Sequence, residues 1–182
     1  MDQALVDATL ESASDLASLL GHAGRKIVFA ESCTAGLISA AMGSVSGISD
    51  RLCGSAVTYR ESVKRDWLGI DAQLVDRYTA VSAEVTRAMA TAVLHRTAEA
   101  DYSVAVTGHL EPPQSRPGAM VFLSLGYHQS GTVVVTEARQ ILLRSETRIA
   151  RQWEAARTAL EMAAEQIGRL ETAAGRKSEF VN

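Results

Sequence analysis

Apolar positions divide the chain into alternating helical and extended segments. Leu5, Leu10, Leu16 and Leu20 give a first helix its core face, Asp2 is placed to cap it, and Gly21 and Gly24 are placed to stop it. A short apolar stretch then predicts a strand over Lys26 to Ala30, followed by a helix from Leu37 to Met42 and, after a loop at Ser44 to Ser49, a second strand from Leu52 to Thr58. Two short helices are predicted next, one containing Lys64 and Trp67 and ending near Gly69, the other spanning Ala72 to Tyr78. A long helix follows from about Ser82 to Ala98, with Ser82 as its cap and Glu84 in its first turn. The small and β-branched residues of Tyr102 to Thr107 suit a strand buried on both faces. Met120 to Leu125 and Thr132 to Leu142 read as two strands joined by a turn around Gly126 to Gly131, which predicts a hairpin. The last helix, with Ser145 as its expected cap, places Ile149, Trp153, Ala156, Leu160, Ala163, Ile167 and Leu170 in one stripe that covers the sheet or meets a partner copy.

This order of elements predicts an α/β fold, a three-layer α/β/α single domain with a mixed, mainly parallel sheet over residues 1–171, and a frayed polar tail over residues 172–182. In such sheets ligands bind beyond the carboxyl ends of the strands. Three groups of candidate residues fall there: Glu31 and Ser32 with Thr34, Ala35 and Gly36 after strand one, Tyr59 and Lys64 after strand two, and Thr107 with Gly108 ending strand three. His109 to Gly118 holds all three prolines, Pro112, Pro113 and Pro117, and is predicted to be a loop over the site.

The chemistry follows from residue types. A serine beside the unpaired N–H groups that open a helix places a nucleophile next to an anion hole. Its hydroxyl needs a base, and a partly desolvated lysine such as Lys64 can serve, with Tyr59 relaying the proton or orienting the amine. Each residue also fits a plainer role: Ser32 or Thr34 as a helix cap, Lys64 as a solvated helix residue, Tyr59 as a core-edge aromatic, Thr107 as a strand end, and Glu31 as a support for the turn, a partner for a base or a surface residue.

Composition narrows the classes. The 182 residues are 47% hydrophobic, enough for one substantial core, and the net charge of −3 argues against binding to nucleic acid. No apolar run reaches the ~20 residues needed to cross a bilayer. The acidic start at Asp2 is unlike a signal peptide, so a cytoplasmic protein without a membrane partner is expected. Cys33 and Cys53 suit small residues in a reducing compartment, and no histidine pair has metal-ligand spacing.

AESCTAG (Ala30 to Gly36), YRESVK (Tyr59 to Lys64), Leu68-Gly69, AVSAEVTRAMA (Ala80 to Ala90) and AVTG (Ala105 to Gly108) together resemble the CinA C-terminal family over roughly residues 5 to 170. Its active members are nicotinamide-nucleotide amidases. The resemblance implies an α/β/α hydrolase, often a homodimer, that uses no cofactor and no metal. It implies a small-molecule nucleotide substrate, with nicotinamide mononucleotide and water giving nicotinate mononucleotide and ammonia in pyridine-nucleotide (NAD) salvage. By that likeness Ser32 attacks the carboxamide, Lys64 assisted by Tyr59 handles the proton, N–H groups around Thr34, Ala35 and Gly36 hold developing charge, and Thr107 and Gly108 line the nucleotide pocket. The chain departs from the family pattern where a glycine-rich loop usually follows the third strand, having His109-Leu110-Glu111-Pro112-Pro113-Gln114 instead. Glu61 replaces a usual asparagine, Ala35 a usual glycine, and Glu146 an arginine common at the start of the last helix, for which Arg144 or Arg148 can stand in. Two readings follow: an amidase with a remodelled substrate loop, and a non-catalytic paralogue that binds a nucleotide or a protein partner.

Overall fold

Asp2 accepts a hydrogen bond from the Ala4 N–H and so opens helix α1 (Gln3–Ala23), while Gly24 closes it in the left-handed conformation at φ 66°. Gly21 stays inside the helix. The computed structural model describes residues 2–111 and 118–179; the prolines Pro112, Pro113 and Pro117 of the expected loop lie outside the described residues.

After α1 the chain forms β1 (Ile27–Glu31), α2 (Leu37–Gly43), a short 3₁₀ turn (Ile48–Asp50), β2 (Leu52–Val57), α3 (Glu61–Leu68), α4 (Ala72–Tyr78) and α5 (Ala83–Arg96). β3 (Tyr102–His109), β4 (Met120–Gln129), β5 (Thr132–Val135), β6 (Arg139–Leu142) and α6 (Arg148–Glu179) complete it. The strand order is β2-β1-β3-β4-β5, with β6 also on β4. β1 pairs in parallel with both β2 and β3. β4 runs antiparallel to β3, β5 and β6, so the sheet is mixed and β4 is the strand that reverses its direction.

The period of two in the strands separates two cores. Ile27, Phe29, Val104 and Val106 face α1, α2 and α6 in the larger cluster, and Val28, Ala30 and Ala105 face α5 in the smaller one with Val85, Met89 and Val93. Every residue of β1 is buried, as expected for a strand covered by helices on both sides. Burial of each large side chain such as Phe29, Leu16 or Leu160 contributes about 1.5–3 kcal/mol.

The structure relocates several expected boundaries. β4 continues through Gln129 and turns at Ser130 and Gly131, whose φ values of 51° and 81° fit a two-residue hairpin. The second arm is divided into β5 and β6, with Thr136 at the break: its Oγ1 accepts from the Leu125 N–H and its carbonyl from the Ser124 hydroxyl. The cap of α6 is Thr147, which accepts from the Ala150 N–H, whereas Ser145 is held in the incoming segment by the Glu154 carboxylate. α6 runs past Thr172 to Glu179. Its stripe from Ala156 to Ile167 packs inward with α1 residues, and Ile149 at its start is exposed. Among the described residues, no helix is long and apolar enough to cross a membrane.

Candidate active site

The carboxyl ends of β1, β2 and β3 lie side by side, and the chain leaves β1 through a tight turn. The Ser32 N–H donates to the Val106 carbonyl and the Ala35 N–H to the Ser32 carbonyl. Ala35 sits at φ 52° and Gly36 at φ 95°; a residue without Cβ is favoured at the second, and Ala35 bears a modest strain at the first.

Glu31 organises this turn from below. Its side chain is wholly buried. One oxygen accepts from the Thr34 hydroxyl at 2.8 Å and from the N–H groups of Gly36 and Ile38 at 3.0 and 3.1 Å. The other accepts from the Ser39 N–H at 3.0 Å and the Ser55 hydroxyl at 2.9 Å. The carboxylate therefore occupies the place at the helix start that an external anion would take. The N–H groups of Gly36 and Ala35, expected to face substrate, are committed inside the protein, to Glu31 and to the Ser32 carbonyl. From Ser32 to Ser39, the N–H groups without an oxygen acceptor among the described residues are those of Cys33 and Thr34, which are directed at the weakly accepting Cys33 thiol.

Lys64 reaches the turn from α3. It is 1% exposed, and its Nζ lies 2.9 Å from Ser32 Oγ and donates to the Thr58 carbonyl at 2.6 Å. Burial lowers its pKa from 10.5 to about 8, against smaller opposing effects of Cys33 and Glu61. About a tenth of it is thus neutral amine at pH 7 and half at pH 8, and in that form the Ser32 hydroxyl donates across the 2.9 Å contact. Burial pushes the neighbouring Cys33 thiol up to about 12, which keeps it protonated and a poor nucleophile.

The remaining candidates divide. Ser32, Cys33, Tyr59, Lys64, Ala80, Val81, Gly108, His109, Leu110, Glu111 and Arg148 border one cleft of about 210 Å³. Tyr59 is half exposed, and its hydroxyl accepts from Arg148 Nη2 at 2.8 Å, with no hydrogen bond to Lys64 among the described residues. Thr107 is buried and shares a hydrogen bond of 2.8 Å with Thr86, so it braces β3 against α5 below the cleft. Gly108 belongs to the wall: a Cβ there would meet Val121 Cγ1 at 2.5 Å, the Met120 carbonyl at 2.6 Å and Cys33 Sγ at 3.1 Å.

Sequence reasoning missed Gln152 and Arg151. Gln152 Nε2 donates to the carbonyls of Cys33 and Thr34 at 3.2 and 3.0 Å and holds the serine turn from α6. Arg151 donates from Nε to the Ser145 carbonyl and from Nη1 to the Leu110 carbonyl. Both lie within one turn of Arg148 at the start of α6. No local signal marks them, because Ile149 and Trp153 follow each other at the ordinary i, i+4 step and Arg151 and Gln152 between them read as the outer face of an amphipathic helix.

Fold and site together define a three-layer α/β/α protein with a buried serine–lysine pair at the carboxyl ends of its parallel strands. The model of the CinA C-terminal domain matches residues 9–167, and the chain belongs to that family. A CinA-like protein of Mycolicibacterium vanbaalenii is 42% identical over 116 residues, covering 64% of this chain and 25% of that protein. A CinA-like protein of Prochlorococcus marinus is 39% identical over 109 residues, covering 58% and 26%. The chain thus spans about a quarter of the length of the curated relatives it matches. Among solved structures, the competence/damage inducible protein CihA from Agrobacterium tumefaciens has a TM-score of 0.74 at 31% identity, covering 85% of this chain and 93% of that one. A CinA superfamily protein from Klebsiella pneumoniae has a TM-score of 0.79 at 24% identity, covering 88% and 98%, and supports the fold alone.

Proposed function

We propose that this chain is an amidohydrolase in which Ser32 is the nucleophile and Lys64 its base, acting on the carboxamide of nicotinamide mononucleotide or of a closely related pyridine compound. The observation that carries the reading is the buried 2.9 Å contact between Nζ and Oγ, with Nζ fixed from behind by the Thr58 carbonyl. A solvated surface lysine would not be held this way.

In the first step Oγ bonds to the amide carbon while its proton passes to the neutral Lys64 amine, and the carbonyl π electrons move to oxygen. The N–H groups of Cys33 and Thr34 are the available donors to that oxyanion. Collapse breaks the C–N bond, and the lysine ammonium returns the proton to the leaving nitrogen, releasing ammonia. Water then adds to the Ser32 ester with Lys64 again as base, giving the carboxylate and free serine. Tyr59, anchored to Arg148, forms the rim on which the ring would rest. Gln152 and Glu31 position the turn and make no contact with the reacting atoms.

The base must be neutral, so kcat/KM for ammonia release should rise with pH through about 8 and then level. A profile that is flat or falls between pH 6.5 and 9 would remove Lys64 from the role of base.

A further inference from the structure

Glu111 stands at the mouth of the same cleft with its carboxylate between two arginines of α6. Oε1 is 3.7 Å from Arg148 Nη1 and Oε2 is 3.5 Å from Arg151 Nη1. Arg148 also donates to the Tyr59 hydroxyl, and Arg151 is locked to the Leu110 and Ser145 carbonyls. Among the described residues that line the cleft, Arg148 and the buried Lys64 are the lysine and arginine side chains, and Glu111 lies within ion-pair distance of Arg148.

We infer that Glu111 is a charge-specificity residue: it occupies the seat beside Arg148 that an anionic substituent would take, and it biases this site toward carboxamides that carry no phosphate. The inference rests on the amidase reading for its substrate, but the electrostatics are independent of the reaction. A phosphate entering the cleft must displace Glu111 from Arg148 or lie beside it as a like charge, and both are unfavourable. A phosphate-free pyridine nucleoside meets neither obstacle. Glu111 is 62% exposed on its side chain, so it can be altered with little risk to the core. Solvent and salt screen this effect, which makes it a bias and not a block.

The test compares kcat/KM for ammonia release from nicotinamide mononucleotide and from its phosphate-free nucleoside, using wild type, E111Q and the double variant E111Q/R148M at low ionic strength. Wild type is expected to favour the nucleoside. E111Q should shift the ratio toward the mononucleotide by about two- to fivefold, and loss of Arg148 in the double variant should erase that shift. A wild type that favours the mononucleotide, an unchanged ratio in E111Q, or a shift that survives R148M would overturn the inference. If neither compound releases ammonia, the amidase reading fails separately. Titration of inorganic phosphate into wild type and E111Q by calorimetry then decides the charge effect: about two- to fivefold tighter binding to E111Q supports it, and equal affinity refutes it.

Discussion

Replacing Lys64 with methionine should stabilise the protein near neutral pH while abolishing its chemistry. Keeping the amine near 8 instead of the ordinary 10.5 corresponds to about 3 kcal/mol of folding free energy spent on a buried ammonium. The sign follows from proton binding. Below pH 8 both folded and unfolded chains are protonated and the whole cost is present. Between 8 and 10.5 the unfolded chain binds more protons, so wild-type stability rises with pH as the cost is relieved. Methionine keeps the length and apolar stem of the side chain but lacks the charge, so its stability has no such component. Against this gain stand the lost bonds to Ser32 Oγ and the Thr58 carbonyl, worth about 1 kcal/mol each. K64M should therefore be about 1 kcal/mol more stable than wild type at pH 7, and the difference should move against the variant by about 2.5 kcal/mol by pH 10. Urea unfolding of both proteins across this range measures it, and titrating groups that do not interact with Lys64 cancel in the comparison. Parallel stability curves would refute the claim that the native fold holds Lys64 at a lowered pKa.

Two further substitutions test the frame around the pair. Glu31→Ala strips a buried acceptor from five donors and should cost at least about 3 kcal/mol in urea unfolding, and a loss under 1 kcal/mol would show that the turn does not depend on it. Gly108→Ala forces a methyl against the Met120 carbonyl and Val121, so a loss of about 1–3 kcal/mol in the same assay is expected, and an unchanged midpoint would contradict the close approach of β3 and β4.

Much of this arrangement was legible from residue pattern because local signals agreed with the global fold. Asp2 and Ser82 cap the helices their positions predict, and α4 spans Ala72–Tyr78 as its pattern indicates. The apolar runs gave β1 and β3 because strands buried on both faces show no polar alternation. The hairpin was harder: Gly126 looks like a turn residue but is a β4 position where a Cβ would meet the Ser103 hydroxyl at 2.5 Å, and the turn belongs to Ser130 and Gly131. At the site, motif spacing brought Ser32 and Lys64 to the same strand ends. It could not reveal that Glu31 consumes the helix N–H groups, because a carboxylate before a turn reads equally as surface, support or partner until its burial is known. Gln152 and the Glu111 pairing with Arg148 and Arg151 depend on contacts between residues far apart in sequence, such as Gln152 with Cys33 and Glu111 with Arg148, which no local pattern encodes.

The most direct test of the central claim is ammonia release by purified protein from nicotinamide mononucleotide and its phosphate-free nucleoside, with Ser32→Ala measured alongside under the same conditions. Wild type is expected to turn over at least one of the two and Ser32→Ala to fall to the uncatalysed rate, with its fold intact because among the described residues Oγ makes a single hydrogen bond, to Lys64. Equal rates for wild type and the variant, or no release from either compound, would contradict the assignment of this serine–lysine pair as an amidase site.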